Sequence, residues 1–193
     1  MPSPGRIVVL NGPSSAGKTM LCAELVELLD TPWHVVPVDL VHAVRSRPDL
    51  RGVTGIDWDA VFRASRAGYH RAVAGLASGG CDVVADHVLD EAWRLSDLLD
   101  VTAGLDVLLV HVTCAPEVLR AREEARGDRV PGVAVDQLAR VFAHGDCDLL
   151  VDTSTLSALE CARRVADLVA VPPGSRAFDR LRSRRGQQRH ATS

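Results

Sequence analysis

The stretch IVVLNGPSSAGKT, Ile7 to Thr19, restricts this chain more than any other part of it. A short β-branched run, Ile7–Leu10, leads into an eight-residue loop bounded by Gly12 and Gly17. A helical pattern with Leu21, Leu25, Leu28 and Leu29 on one face follows at once. A strand that turns directly into a helix must sit in a sheet whose faces are covered, and the chain must cross over to reach the next strand. The loop fits GxxxxGK[ST] in the strand–loop–helix context that the pattern requires. Its glycines let successive backbone N–H groups point into one concavity, and the helix N-terminus adds partial positive charge. Gly12, Pro13, Ser14, Ser15, Ala16, Gly17, Lys18 and Thr19 are therefore expected to cradle a polyphosphate. Lys18 would neutralise the β- and γ-phosphates, and the Thr19 hydroxyl would hold Mg²⁺. Among 22 basic residues, Lys18 is the only lysine. The chain otherwise avoids lysine, so keeping one in this slot argues for function.

Further apolar runs at Val35–Val38, Val83–Ala85, Val107–Val112 and Leu149–Val151 are short and continuous, as in strands covered on both faces. Helical patterns alternate with them. Asp57 reads as the N-cap of a long stripe from Trp58 through Phe62, Tyr69 and Val73 to Leu76, stopped by Gly79-Gly80. Pro116 suits the first turn of a helix reaching about Ala125, and a last helix spans roughly Leu156 to Val169. The expected fold is α/β: a five-stranded, mainly parallel sheet with helices on both faces. Residues 1–172 read as one domain. Residues 173–193, which follow Pro172 and hold Pro173, Gly174 and six arginines, read as a disordered, solvated tail, with a short extra helix or a contact to a partner's acidic surface as the alternative.

The rest of the composition narrows the partners. A net charge of -3 gives no reason to expect nucleic acid, and no apolar run is long enough to span a membrane. The opening MPSPGRIVVLNG lacks the features of a secretory signal, and five dispersed cysteines without a CxxC pair point to reduced thiols. A cytoplasmic location is expected, and a homo-oligomer is left open.

Two carboxylates and a group of arginines complete the candidate site. Asp86 closes the run CDVVAD at the sheet edge where Thr19 also lies, a place from which it could hold Mg²⁺. His87 beside it reads either as a substrate contact or as a hydrogen-bonded structural group. Asp39, at the end of the second strand, could accept a hydroxyl proton as oxygen attacks a γ-phosphate, or simply cap the next helix. LRAREEARGDRVPGV gathers Arg120, Arg122, Arg126 and Arg129 around two glycines. Guanidinium groups there could fork onto phosphate oxygens in a lid that closes over ATP, with Arg126 and Arg129 nearest the hinge. Glu123 and Glu124 could instead pair with these arginines along the helix. A GTP switch is disfavoured, because its NKxD guanine-reading motif needs a second lysine.

NGPSSAGKT, the VD of the second strand, ARGDRVPG and VDTSTLSALECA together resemble the chloramphenicol 3-O-phosphotransferase family, from about Arg6 to Val171. The resemblance implies an adenylate-kinase-like P-loop kinase fold with an Arg-containing lid. It implies transfer of the ATP γ-phosphate to a primary hydroxyl of the antibiotic, with Asp39 as catalytic base and Lys18 on the phosphates. It also implies that Asp152 and Thr153 lie near the adenine. Two departures fall in the acceptor half. Arg45 to Phe62 is shorter than the family's acceptor-binding insertion, and a single Asp86 followed by His87 stands where paired acids are more usual. Val41, Val44, Trp58 and Phe62 could line an acceptor pocket or belong to the core. The function expected is an ATP- and Mg²⁺-dependent O-phosphotransferase acting on a chloramphenicol-like or other hydroxylated antibiotic. A kinase for a nucleoside or sugar acid is the alternative, and a non-catalytic nucleotide sensor is a third reading.

Overall fold

A computed structural model describes residues 3–45, 54–127 and 132–191, with side chains as far as residue 188. Five strands form its sheet: β1 (Ile7–Asn11), β2 (Trp33–Pro37), β3 (Asp82–His87), β4 (Val107–Thr113) and β5 (Leu149–Asp152). Their order is β2-β3-β1-β4-β5, and every pairing is parallel. The helices are α1 (Lys18–Leu28), α2 (Leu40–Ala43), α3 (Trp58–Ser78), α4 (Ala92–Val101), α5 (Pro116–Arg126), α6 (Val133–Val141), α7 (Ala158–Ala170) and α8 (Ala177–Ala191).

Alternation along β1 builds two cores. Val8 and Leu10 join Leu21 and Leu25 of α1 and Cys161 and Val165 of α7 on one face. Ile7 and Val9 join Tyr69 and Val73 of α3, Leu98 of α4 and Phe178 of α8 on the other. All five β1 residues are buried, which explains why that run carries no polar alternation. Asp57 caps α3 by accepting the Ala60 N–H, and Pro116 opens α5, as the pattern predicts.

Two expectations need correction. β2 is an edge strand with Val35 40% exposed, so an apolar run there did not mean cover on both faces. The 173–193 segment is not a disordered tail: α8 fills most of it. Ala177, Phe178 and Leu181 are buried in the second core. Arg176 pairs with Asp106, Arg180 with Asp146 and Asp148, Arg184 with Asp146, and Arg185 with Asp100. Composition alone reads such arginines as solvated. Their partners lie some 32 to 85 residues back along the chain and are brought near only by the fold.

Candidate active site

β1 lies between β3 and β4, where the strand order reverses, so its carboxyl end opens into a crevice. The glycine loop starts there. A Cβ on Gly12 would meet the Val112 carbonyl oxygen at 2.2 Å, so only glycine lets the chain pass β4. Gly17 has φ 86°, and Ser15, at φ 60°, is the only non-glycine with positive φ among the described residues. The Lys18 ammonium is buried within this turn. It donates to the carbonyl oxygens of Gly12 (2.9 Å) and Pro13 (2.8 Å) and stands 3.6 Å from Asp86 Oδ1.

The loop floors a cleft of about 480 Å³. Ser15, Ala16, Gly17, Lys18 and Thr19 line it together with Asp39, Asp86, Arg122 and Arg126. Gly12, Pro13 and Ser14 form the start of the loop beneath it. Arg129 lies outside the described residues. Arg122 donates to the Thr153 hydroxyl (3.0 Å) and carbonyl (2.9 Å), while that hydroxyl donates to the Ala16 carbonyl oxygen at 2.7 Å. Thr153 thereby ties the end of β5 to the back of the loop. The Asp152 carboxylate is taken up by the backbone and hydroxyl of Ser154, so in this geometry it caps a turn.

Asp86 falls one residue before the end of β3, and Asp39 comes two residues after β2, at the N-cap of α2. Asp39 makes no side-chain capping bond; its half-exposed carboxylate lies 4.0 Å from Arg66. The Tyr69 hydroxyl sits between the carbonyl oxygens of Val36 (2.9 Å) and Asp86 (3.0 Å), fixing the two strand ends that carry these acids. Thr19 and Asp86 present hard oxygen donors of the kind Mg²⁺ takes, and among the described residues no larger cluster suited to a metal cage exists.

Sequence reasoning missed several residues of this cleft. Arg66 from α3, Asp90 and Arg94 from the β3–α4 region, and Gln137 from α6 also line the cleft. Gln137 Oε1 accepts the Ser14 N–H (2.9 Å), and its Nε2 reaches Asp90 at 3.3 Å. Glu123, read as a helix ion pair, is instead buried and accepts the N–H groups of Gly132 (2.6 Å) and Ala134 (3.1 Å), capping α6. No local pattern marks these residues, because their partners lie on other elements.

Arg66 and Arg94 also line a second cavity, of about 660 Å³, with His42, Phe62, Arg63 and Trp93. Burial, then the neighbouring Arg94, lowers the Arg66 pKa, and burial with Arg66 lowers that of His42. Phe62 is 44% and Val44 74% exposed, so neither is core. His87 is fully buried and hydrogen-bonded to His70, a structural group. Burial, followed by the charge of Asp86, pushes the Cys22 thiol beneath the loop up to about 12, leaving it neutral.

The model of the chloramphenicol phosphotransferase-like protein family matches residues 5–170. The chain belongs to that family. Relatives in two Mycobacterium tuberculosis strains, CDC 1551 and H37Rv, are named O-phosphotransferases. Each is 30% identical over 200 residues, covering 93% of this chain and 89% of its own. Among solved structures, the Deinococcus radiodurans tunicamycin resistance protein superposes with a TM-score of 0.66 at 19% identity, covering 88% of this chain and 99% of its own. The M. tuberculosis APS kinase, in complex with AMPPNP and APS, gives 0.62 at 21%, with the same coverage. At these identities the likeness concerns the fold, which is that of P-loop kinases, as expected. This member of the chloramphenicol phosphotransferase-like family is thus a phosphotransferase. None of its described helices is long and apolar enough to cross a membrane.

Proposed function

We propose that the protein transfers the γ-phosphate of ATP to a hydroxyl of a small molecule, with Mg²⁺ as cofactor. One observation carries this reading: the glycine loop with its buried ammonium and the Asp39–Arg66 pair share a single cleft, and two of its lining arginines also line a second cavity.

The loop amides and the α1 N-terminus would hold the phosphates, with Lys18 turning from the loop carbonyls to their oxygens. Thr19 and Asp86 would hold Mg²⁺, which offsets phosphate charge. Arg122, with Thr153 behind it, would flank the nucleotide on the side away from Asp39, and Asp152 would shape the turn there. Arg126, together with Arg129, would neutralise charge on the moving phosphoryl group. Asp39 would orient the acceptor hydroxyl and take its proton as the new O–P bond forms. The bond from the γ-phosphorus to the bridging oxygen breaks in the same step, and ADP leaves.

The family's name points to a hydroxylated antibiotic as acceptor. The arginines of the second cavity favour a second reading, a hydroxylated metabolite acid. ADP release with MgATP against hydroxylated antibiotics, nucleosides and sugar acids tests both. Acceptor-stimulated release, with a product heavier by one phosphoryl group, is expected. Tight MgATP binding without stimulation by any acceptor would favour a nucleotide sensor.

A further inference from the structure

We propose that the acceptor is a ring-bearing molecule carrying an anionic group, held by Arg63 and Arg66 against Trp93. This rests on the phosphotransfer reading and deepens it. The cavity shares two lining arginines, Arg66 and Arg94, with the nucleotide cleft, and the first of them lies 4.0 Å from Asp39. Its volume, about 660 Å³, falls within the range for small-molecule sites.

Aromatic side chains are few in this protein: three Trp, three Phe and one Tyr. Phe62 and Trp93 nevertheless line this one cavity. Trp58 packs behind Phe62 at 5.9 Å between ring centroids, and the His42 ring meets Phe62 edge-on at 5.4 Å. Leaving Phe62 44% exposed in so aromatic-poor a chain makes sense if a flat or ring-shaped ligand covers it.

The charges point to an anion. Six charged side chains line the cavity: Arg63, Arg66 and Arg94 against Asp57, Asp59 and Glu91. Two of the acids are committed. Asp57 caps α3, and Glu91 is held by Arg94 and by the Trp93 indole N–H at 2.8 Å. Asp59 is exposed in the first turn of α3. Arg94 is neutralised by Asp90 and Glu91. Arg63 and Arg66 remain, three residues apart and so on neighbouring faces of α3. The Arg63 guanidinium stacks 4.4 Å from the Trp93 ring centroid and has no carboxylate partner among the described residues. Arg66, its side chain only 16% exposed, donates to the Val38 carbonyl and meets Asp39 no closer than 4.0 Å. A largely buried, half-neutralised guanidinium is costly unless a ligand brings the missing charge.

Calorimetric titration in the presence of MgADP separates the alternatives, using 4-(hydroxymethyl)benzoate, 4-(hydroxymethyl)benzenesulfonate and neutral 4-(hydroxymethyl)benzamide. Either anion should bind roughly ten- to a hundredfold tighter than the amide, as charge-assisted hydrogen bonds allow. Arg63→Gln should erase most of that preference while leaving MgADP affinity intact, and Trp93→Leu should weaken all three ligands alike. Comparing the two anions tells a carboxylate site from a sulfate-like one. Equal affinities, no binding of any of the three, a preference surviving both Arg63→Gln and Arg66→Gln, or tighter binding of neutral chloramphenicol would each overturn the proposal. Phosphotransfer itself is judged separately, by MgATP affinity and ADP release.

Discussion

His70 Nε2 lies 2.6 Å from His87 Nε2, with both rings fully buried. The Val88 N–H donates to His87 Nδ1, which places that ring's proton on Nε2 and makes His70 Nε2 the acceptor. His70 Nδ1 then donates to Asp97, 2.6 Å away. Two neutral imidazoles thus connect α3 and α4 to the end of β3, immediately beside Asp86.

This chain predicts acid sensitivity. Burial is the main cause lowering both histidine pKa values; His70 and the positive Arg66, Arg94 and Lys18 lower His87 further, and Asp97 opposes the shift at His70. A depressed folded-state pKa means that the unfolded chain binds the proton first. Stability is therefore full above about pH 6.5 and falls as pH drops below it. His111, lowered to about 4 by burial and His144, adds to the same slope. The urea midpoint should be flat from pH 8 to 7 and decline toward pH 5, and His70→Gln should flatten the decline. A midpoint that rises on acidification would contradict the assignment.

Lys18→Ala should sharply weaken nucleotide binding. Its ammonium bonds to two carbonyls of its own loop, partners that a phosphate tail can replace. Losing a charge-assisted contact of this kind costs about 1.5–3 kcal/mol for each hydrogen bond. Calorimetry with MgATP should therefore show binding weakened about a hundredfold or more.

Glu123→Ala should destabilise the protein by about 1–3 kcal/mol, because it strips two α6 amides of their acceptor. Arg120→Ala, which tests the helix ion pair suggested by spacing, should change stability by less than about 0.5 kcal/mol. Chemical denaturation of both variants decides between a cap and an ion pair.

Phe178→Ala should cost about 3–5 kcal/mol, the usual penalty for emptying a buried aromatic site. Removing residues 175–193 should cost at least as much, since Leu181 and the arginine pairs go too. Thermal melts of the truncated chain give the answer; an unchanged midpoint would mean that α8 does not hold the second core.

Much of this was legible in the sequence wherever the signal is local. The five strands, the glycine loop, the Asp57 cap and the Pro116 helix start each depend on residues within one turn or run. Asp39, Asp86, Arg122 and Arg126 line one cleft, and the sequence singled them out because strand ends and loop glycines mark a sheet's carboxyl edge. What escaped depends on contacts between distant elements. Gln137 reaches Ser14 across 123 positions, and Arg180 finds Asp146 across 34. Arg66 gave no signal because one arginine on a polar helix face looks like any other. What sets it apart is burial beside Arg94, which only packing creates.

Asp39→Asn gives the sharpest test of chemistry. The carboxylate lines the nucleotide cleft, stands 4.0 Å from Arg66 and makes no capping bond to α2. An amide of the same shape keeps the volume but cannot take a proton from an attacking hydroxyl. If Asp39 is the base, kcat should fall roughly a hundredfold or more, while the Kd for MgATP moves by less than about twofold. If it only orients the acceptor through hydrogen bonding, KM for the acceptor should rise with a smaller loss of kcat. Equal turnover in the two proteins would remove Asp39 from the reaction altogether, and the proton acceptor would then have to be sought elsewhere in the cleft, with Asp90 the next carboxylate along its wall.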